Sequence, residues 1–170
     1  MNPARGNGVK VVGIDPGSLV TGYGVIEVSG SSVRALEYSV IRTNPRDPLE
    51  RRLAQIYNGL VEMLERCGPR IMAVEEVFYR KNFRSAVMIG EARGIAMLAA
   101  ANCGIAVESY PPARIKQAVV GNGRAVKGQV NSMVSRILSL PAAPEEDAAD
   151  ALAAALCHSH TLSSRRVQLR

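Results

Sequence analysis

Three apolar, β-branched runs follow one another near the start of the chain, with only short links between them. They lie at Lys10–Ile14, Gly24–Val28 and Val33–Arg42. Strands joined by short links pair in antiparallel fashion, whereas parallel neighbours need a crossover of a dozen or more residues. The chain is therefore predicted to begin as a three-stranded antiparallel meander, and this limits the folds that the rest of the chain can complete.

After the meander, helical and strand patterns alternate. A helix is predicted at Leu49–Cys67, where apolar residues recur at a helical period, and a fourth strand at Ile71–Val74. A helix, a fifth strand and three further helices follow at Ser85–Asn102, Ile105–Ser109, 110–120, Lys127–Ser139 and Glu145–His158. This order predicts an α/β fold with a five-stranded mixed sheet, made of the meander plus two parallel strands and flanked by helices. The layout is RNase H-like and excludes a simple doubly wound fold.

The length of 170 residues favours one domain. We predict a flexible leader at 1–9, a single domain with the RNase H-like layout at 10–160 and a basic flexible tail at 161–170. The three cysteines, Cys67, Cys103 and Cys157, are far apart and form no C-x-x-C pair, so neither a zinc site nor a disulfide framework is expected. No apolar run is long enough to span a membrane and no signal peptide is evident. A cytoplasmic protein without a membrane partner is predicted.

Positive charge is concentrated in one part of the chain. The net charge is +6, and the segment from Arg80 to Arg136 holds nine Lys or Arg residues against two Glu residues. This segment therefore carries the whole basic excess, which favours a polyanionic partner, most commonly nucleic acid. On charge alone, a solvated basic surface is an equal alternative.

Two carboxylates follow predicted strands and two more share a helix face. Asp15 ends the first strand and Glu75 ends the fourth. In a mixed sheet of this order those strands can be parallel neighbours, which would place both carboxylates at one edge. Asp147 and Asp150 are spaced i, i+3 near the start of the last helix, so they lie on one face. Four carboxylates from three elements can thus converge.

Converging carboxylates repel one another unless cations are present. Mg²⁺ prefers oxygen ligands, and two such ions can stabilise both the attacking and the leaving oxygen of a phosphodiester cleavage. Each acid alone has a simpler interpretation, because Asp15 can form a turn, Glu75 can be solvated and Asp147 can stabilise a helix start. A strand-end Asp before a Gly loop also occurs in actin-like ATPases, but those need two such domains and a longer chain. The set as a whole favours a nuclease.

The sequence resembles the RuvC family of bacterial Holliday-junction resolvases from about Lys10 to His160, nearly the whole chain. Four segments carry the resemblance in order: GIDPGSLVTGYGVI, AVEEVFYRKNFRSAVMIGEARG, ARIKQAVVGNGRAVKGQV and LPAAPEEDAADALAAAL. The resemblance implies an RNase H-like fold, a homodimer and symmetric paired nicking of four-way junction DNA in recombination and repair. It also implies two Mg²⁺ or Mn²⁺ ions per active site and partnership with the RuvA–RuvB branch-migration motor.

The resemblance also assigns site residues. The family's catalytic, metal-binding acids fall on Asp15, Glu75, Asp147 and Asp150, its base-contacting aromatic on Phe78, and its basic residues on Lys116 and Lys127. An aromatic flanked by basic residues is suited to stacking on an unpaired base, so Arg80, Lys81 and Arg84 are added as DNA-binding candidates. Alternatively, Phe78 fills the core. The two lysines flank a Gly-containing loop and are placed to neutralise a phosphate.

The predicted activity is metal-dependent phosphodiester hydrolysis by a structure-specific endonuclease, which leaves a 5′-phosphate and a 3′-hydroxyl. Two other functions stay open. A catalytically silent junction-binding protein would keep the basic segment but should lack some of the acids. An RNase H-like nuclease with another substrate, such as RNA or simple duplex, would keep both the basic segment and the four acids.

Overall fold

The structure is a computed structural model that describes residues 8–76 and 83–168. Within these residues the strands are β1 (Val9–Asp15), β2 (Val20–Ser29), β3 (Ser32–Arg42), β4 (Ile71–Glu75) and β5 (Ala106–Tyr110). They form one sheet in the order β3-β2-β1-β4-β5. The meander β1-β2-β3 is antiparallel, and β4 is parallel to both β1 and β5. The predicted mixed sheet is confirmed, and β1 and β4 end at the same edge.

Helices cover both faces of the sheet. They are α1 (Leu49–Cys67), α2 (Phe83–Asn102), α3 (Pro112–Val120), α4 (Lys127–Ile137) and α5 (Glu146–Gln168). One hydrophobic core lies between the sheet and α1 with α2, and the other between the sheet and α3, α4 and α5. No helix of the described segments is both long and apolar enough to cross a membrane.

Helix α1 has the bounds that the sequence predicts. Its buried face consists mainly of apolar residues at a helical period, including Ile56, Leu60 and Met63. Gly68 ends the helix in the left-handed region, with φ 60°, and its N–H donates to the carbonyl oxygen of Leu64 at 2.9 Å. A glycine adopts this conformation without the steric cost of a Cβ atom, which is why the helix stops there.

Two predicted boundaries are wrong by four residues or more. Strand β2 begins at Val20 rather than Gly24, because its first residues complete the pairing with β1 and β3. Helix α5 continues to Gln168 instead of ending at His158. His158 therefore does not lie at a helix C-terminus, as the sequence suggested; it is buried, and its Nδ1 shares a 2.6 Å hydrogen bond with the Tyr110 hydroxyl. The division into leader, domain and tail stays a prediction.

Helix α5 packs directly against the backbone of the sheet. Its first turns after Asp147 are rich in buried alanines, from Ala148 to Ala155. The facing positions of β1 and β2 are glycines: a Cβ atom on Gly13 would lie 1.8 Å from the carbonyl oxygen of Ala151. Small side chains on both elements therefore allow the helix to approach closely, and this contact fixes where the start of α5 meets the sheet.

Candidate active site

Carboxylates from β1, β4 and α5 face one cavity at the sheet edge. Asp15, Glu75 and Asp150 line this cavity, which has a volume of about 140 Å³ and which we call the acidic cavity. Asp15 and Glu75 follow the paired residues Ile14 and Val74 of the two parallel strands. Three of the four predicted acids thus come together from elements that are distant in sequence.

Asp147 lies beside the acidic cavity rather than in its lining. It is half-buried in the first turn of α5, and its carbonyl oxygen would lie 2.0 Å from a Cβ atom on Gly22. Its carboxylate is still near enough to Asp15 for the two charges to interact. The backbone contact with β2 therefore anchors the helix turn that carries both aspartates of α5.

The loop that follows Asp15 is held by two threonine hydroxyls. Thr21 Oγ1 donates to the carbonyl oxygen of Gly17 at 2.7 Å, and Thr43 Oγ1 donates to the carbonyl oxygen of Ser18 at 2.8 Å. Buried backbone carbonyls need such partners because leaving one unpaired is costly. The bonds tie the loop to β2 and to the residue after β3, which supports the end of β1.

The electrostatics of the acidic cavity reflect burial first and crowded negative charge second. Burial, and after it the charge of Asp150, raises the pKa of Asp15 from its ordinary 3.8 to about 7. Glu75 and Asp147 raise this pKa further, whereas the nearby ammonium of Lys127 lowers it. In the absence of added cations, the site therefore holds a proton near neutral pH.

Lys127 is the cation that approaches these carboxylates from α4. Its Nζ lies 2.6 Å from Oε1 of Glu146 and 3.3 Å from Oδ2 of Asp150. The hydrogen bond to Glu146 is the main cause that raises the pKa of Lys127, so the side chain stays charged. Burial raises the pKa of Asp150, and Lys127 opposes that effect. Glu146 and Asp150 thus share one counter-charge.

The other predicted DNA-binding residues are placed differently. Lys116 of α3 is half-buried and lines the acidic cavity with Lys127. Arg84 lies at the exposed start of α2 and lines a separate cavity of about 380 Å³, so it does not join the acids. Phe78, Arg80 and Lys81 lie outside the described residues, and their assignment stays a prediction.

The donor set of the cavity fits hard divalent cations. Carboxylate oxygens are the ligands that Mg²⁺ and Mn²⁺ prefer. After burial, the charges of the neighbouring acids also raise the pKa of Asp15, and cations would offset that negative charge. Across residues 8–76 and 83–168, no three acidic, His or Cys side chains already form a group close enough to hold a metal ion. The acids therefore face a shared space with room for water-sized groups, rather than meeting at one point.

Sequence reasoning missed three contacts around the site. It assigned no partner to Glu145 or Glu146, but Glu145 pairs with Arg42 and Glu146 with Lys127. It did not single out Arg93, which bonds the backbone at Glu75. The signal for Arg93 was present, because it is the last charged residue of α2 and is followed only by Gly, Ala, apolar residues and Asn102.

Replacing Gly22 by Ala should displace the start of α5. A Cβ atom there would lie 2.0 Å from the carbonyl oxygen of Asp147, so the helix must move away from β2. We expect a loss of about 1–3 kcal/mol in the free energy of unfolding, as for other overpacked contacts. Urea denaturation measures this loss. Gly128→Ala is the matched control, since a Cβ there meets nothing within 4 Å; equal stability of the two variants would contradict the prediction.

The family model and the sequence relatives that match this chain carry the same description. The family model described as crossover junction endodeoxyribonuclease RuvC matches residues 11–158. The chain is 50% identical over 155 residues to crossover junction endodeoxyribonuclease RuvC of Desulforamulus reducens, covering 91% of this chain and 95% of that protein. It is 46% identical over 162 residues to the protein of the same name from Pelotomaculum thermopropionicum, covering 94% and 99%.

Solved structures agree with the sequence relatives. T. thermophilus RuvC in complex with Holliday junction substrate has a TM-score of 0.87 and 38% identity, over 92% of this chain and 96% of that one. The yeast mitochondrial Holliday junction resolvase has a TM-score of 0.63 over 95% of this chain and 85% of that one. Its identity is only 14%, so this second match supports the fold alone.

Proposed function

The chain belongs to the RuvC family of crossover junction endodeoxyribonucleases, and we propose that it resolves Holliday junctions at the acidic cavity. The reaction is paired, symmetric hydrolysis of phosphodiesters, which leaves 5′-phosphate and 3′-hydroxyl ends. One observation carries this proposal: Asp15, Glu75 and Asp150 come from three separate elements and line one cavity together with two lysines. A protein that only bound junctions would have no need of half-buried, mutually repelling carboxylates.

The acids are proposed as the ligands of two divalent cations, Mg²⁺ or Mn²⁺. Asp15, Glu75 and Asp150 line the cavity, and Asp147 stands next to them on α5. When bound, such cations supply an activated water and stabilise charge on the attacked phosphate. The chain's own part is to hold the four carboxylates on rigid strand ends and one helix turn, so that little rearrangement is needed when the cations arrive.

The lysines are proposed to receive the DNA backbone. Lys116 and Lys127 line the same cavity as the acids, so a phosphate that enters it meets positive charge. Lys127 also pairs with Glu146, which helps to hold its ammonium at the cavity. Asp150 is therefore not the sole partner of Lys127. Stacking of Phe78 on an unpaired base is proposed from the family resemblance. Phosphate contacts from Arg80, Lys81 and Arg84 are proposed because these basic residues flank Phe78 in the sequence.

A substrate panel tests the proposed function. Labelled four-way junction, Y-fork, linear duplex and RNA–DNA hybrid are incubated with the protein and Mg²⁺ or Mn²⁺, and products are resolved on a denaturing gel. We expect paired nicks at symmetric positions in the junction and far slower cleavage of the other substrates. Junction binding without cleavage in either metal would favour the silent binder, and preferred cleavage of hybrid or duplex would favour a nuclease with another substrate.

A homodimer is proposed from the exposed face of α2. Gly90, Gly94 and Leu98 lie along one exposed face of this helix, and Leu98 is 50% exposed. Glycine in a helix interior costs about 1 kcal/mol relative to alanine. A Cβ atom on either glycine would meet nothing within 4 Å among the described residues, so packing among those residues does not require these glycines. Close approach of a second copy accounts for them, and a two-fold dimer presents two active sites to a junction.

Replacing Gly94 by Leu should therefore disrupt the dimer but leave the fold intact. We expect sedimentation to change from dimer to monomer at micromolar protein, and paired nicking to give way to single nicks. Ser132→Leu, at an exposed position of α4 on the opposite face of the sheet, is the control and should stay dimeric. A wild-type protein that already sediments as a monomer, or a dimeric Gly94→Leu variant, would refute this interface.

Partnership with the RuvA–RuvB motor and action in the cytoplasm are proposed from family membership alone. Both would follow from a role in recombination and repair, because a resolvase acts where the junction is formed and moved. Addition of the motor to the junction assay checks the partnership, since it should stimulate cleavage by wild type. Unchanged cleavage and no co-sedimentation would speak against it.

A further inference from the structure

Arg93 of α2 joins the ends of two neighbouring strands. Its Nε donates to the carbonyl oxygen of Glu75 at 3.2 Å, and its Nη2 donates to Oγ of Ser109 at 2.6 Å. Glu75 is the last residue of β4, and Ser109 belongs to β5 beside it. One guanidinium therefore binds the backbone of a proposed metal ligand and the side chain of the adjacent strand.

Arg93 approaches Glu75 from the face of the sheet opposite the acidic cavity. Helix α2 packs in the core with Val74, whereas Ala73 and Tyr110 belong to the core with α5. Because side chains alternate along a strand, the carboxylate of Glu75 is directed to the same side as Ala73. Arg93 thus fixes the backbone from behind, while the carboxylate lines the cavity in front.

The end of β4 needs such a partner. Glu75 is the last residue of β4, and the N–H of Glu76 after it donates to the carbonyl oxygen of Tyr110 at 2.9 Å. The carbonyl of Glu75 is satisfied by Arg93. An arginine has donors in a fixed planar fork and can serve two acceptors at once, whereas a lysine presents one mobile ammonium.

We propose that Arg93 is a positioning residue, which holds the end of β4 so that the Glu75 carboxylate is kept at the acidic cavity. The inference rests on the proposed function, because it assigns a role in the same site. Outer partners that orient metal ligands typically change metal affinity or activity by about 10–100-fold when they are removed. Arg93 acts through the backbone of Glu75 and does not touch the reacting atoms.

The first test compares Arg93→Gln, Arg93→Lys and Ser109→Ala with wild type. Mn²⁺ binding to the DNA-free protein is followed by electron paramagnetic resonance, and junction affinity is measured in EDTA. We expect Arg93→Gln to weaken Mn²⁺ binding about 10-fold or more, with junction affinity in EDTA unchanged. Arg93→Lys and Ser109→Ala each keep one of the two contacts. Their Mn²⁺ affinity should therefore lie between that of wild type and that of Arg93→Gln.

The second test needs no metal. Hydrogen exchange of the peptide that contains Glu75 and Glu76 should be faster in Arg93→Gln, because the strand end loses its support, while exchange of β1 should not change. Ala96→Gly is the matched control, since it loosens the buried face of α2 without removing a bond to β4. If Ala96→Gly weakened Mn²⁺ binding as much as Arg93→Gln, the role of Arg93 would be general packing and the proposal would be wrong.

The outcome separates this inference from the proposed function. A wild-type protein that cleaves junctions, together with an Arg93→Gln variant of unchanged Mn²⁺ affinity and unchanged exchange, would overturn the positioning role alone. A wild-type protein that cleaves no junction would overturn the proposed function. Weaker Mn²⁺ binding and faster exchange at Glu75 and Glu76 in Arg93→Gln would still support the positioning role in that case.

Discussion

Asp15→Asn should abolish junction cleavage while junction binding persists. Asp15 is the most central of the proposed ligands, at the end of β1 between β2 and β4. Asparagine keeps the shape but loses the charge that a divalent cation requires. Removal of an outer partner alone costs about 10–100-fold, so we expect loss of a direct ligand to lower the cleavage rate by more than about 100-fold.

Single-turnover cleavage of a labelled four-way junction in Mg²⁺ and in Mn²⁺ measures this loss, and gel shift in EDTA measures binding. Asp47→Asn makes the same chemical change in the loop before α1, away from the acidic cavity, and should cleave as wild type does. Full cleavage by Asp15→Asn would remove Asp15 from the site. Loss of binding together with cleavage would indicate a misfolded variant, which the stability measurement below detects.

The same substitution should make the metal-free protein more stable above neutral pH. The pKa of Asp15 is raised to about 7 in the folded chain, from 3.8 as the ordinary value. The folded state thus favours the protonated carboxyl, so the stabilisation is complete below pH 3.8 and is lost as the pH rises through 7. At about 1.36 kcal/mol for each pKa unit, the loss is about 4 kcal/mol at pH 8. Asparagine does not ionise, so the variant does not suffer this loss of stability.

Thermal or urea denaturation at pH 5 and pH 8 in EDTA tests this expectation. Asp15→Asn should unfold later than wild type at pH 8, and the difference should shrink as the pH is lowered below 7. Saturating Mn²⁺ should stabilise wild type, by an amount that grows with the ratio of the Mn²⁺ concentration to the dissociation constant. The variant should be stabilised much less. Equal stability of wild type and variant at pH 8 would show that the ionised Asp15 carboxylate does not destabilise the folded state.

Local patterns were sufficient for most of the architecture. Helix α1 was predicted residue for residue, because its apolar period is regular and Gly68 supplies a left-handed end. The parallel pairing of β1 with β4 followed from the element order. The start of β2 was missed, because the strand was predicted to begin only at Gly24, whereas it begins at Val20. There Gly22 marks the contact with Asp147 of α5, which only the tertiary structure reveals.

The site was predictable in its acids but not in their support. A carboxylate at a strand end is a visible signal, and Asp15 and Glu75 indeed line one cavity. The partners of Lys127 depend on how α4 meets α5, which no local pattern encodes. His158 was misread because its helix was ended too early, and its buried bond to Tyr110 links α5 to the end of β5.

The docking of α5 on the glycines of β1 and β2 also sets when this enzyme can become active. Asp15 and Asp150 are separated by most of the chain, and contacts of such long range form late and slowly because of the loop entropy they cost. During synthesis, at about 5–20 residues per second, the sheet edge emerges with Asp15 and Glu75 several seconds before α5. A nascent chain therefore lacks half of its proposed metal ligands, and hydrolysis of DNA must await the synthesis and docking of α5.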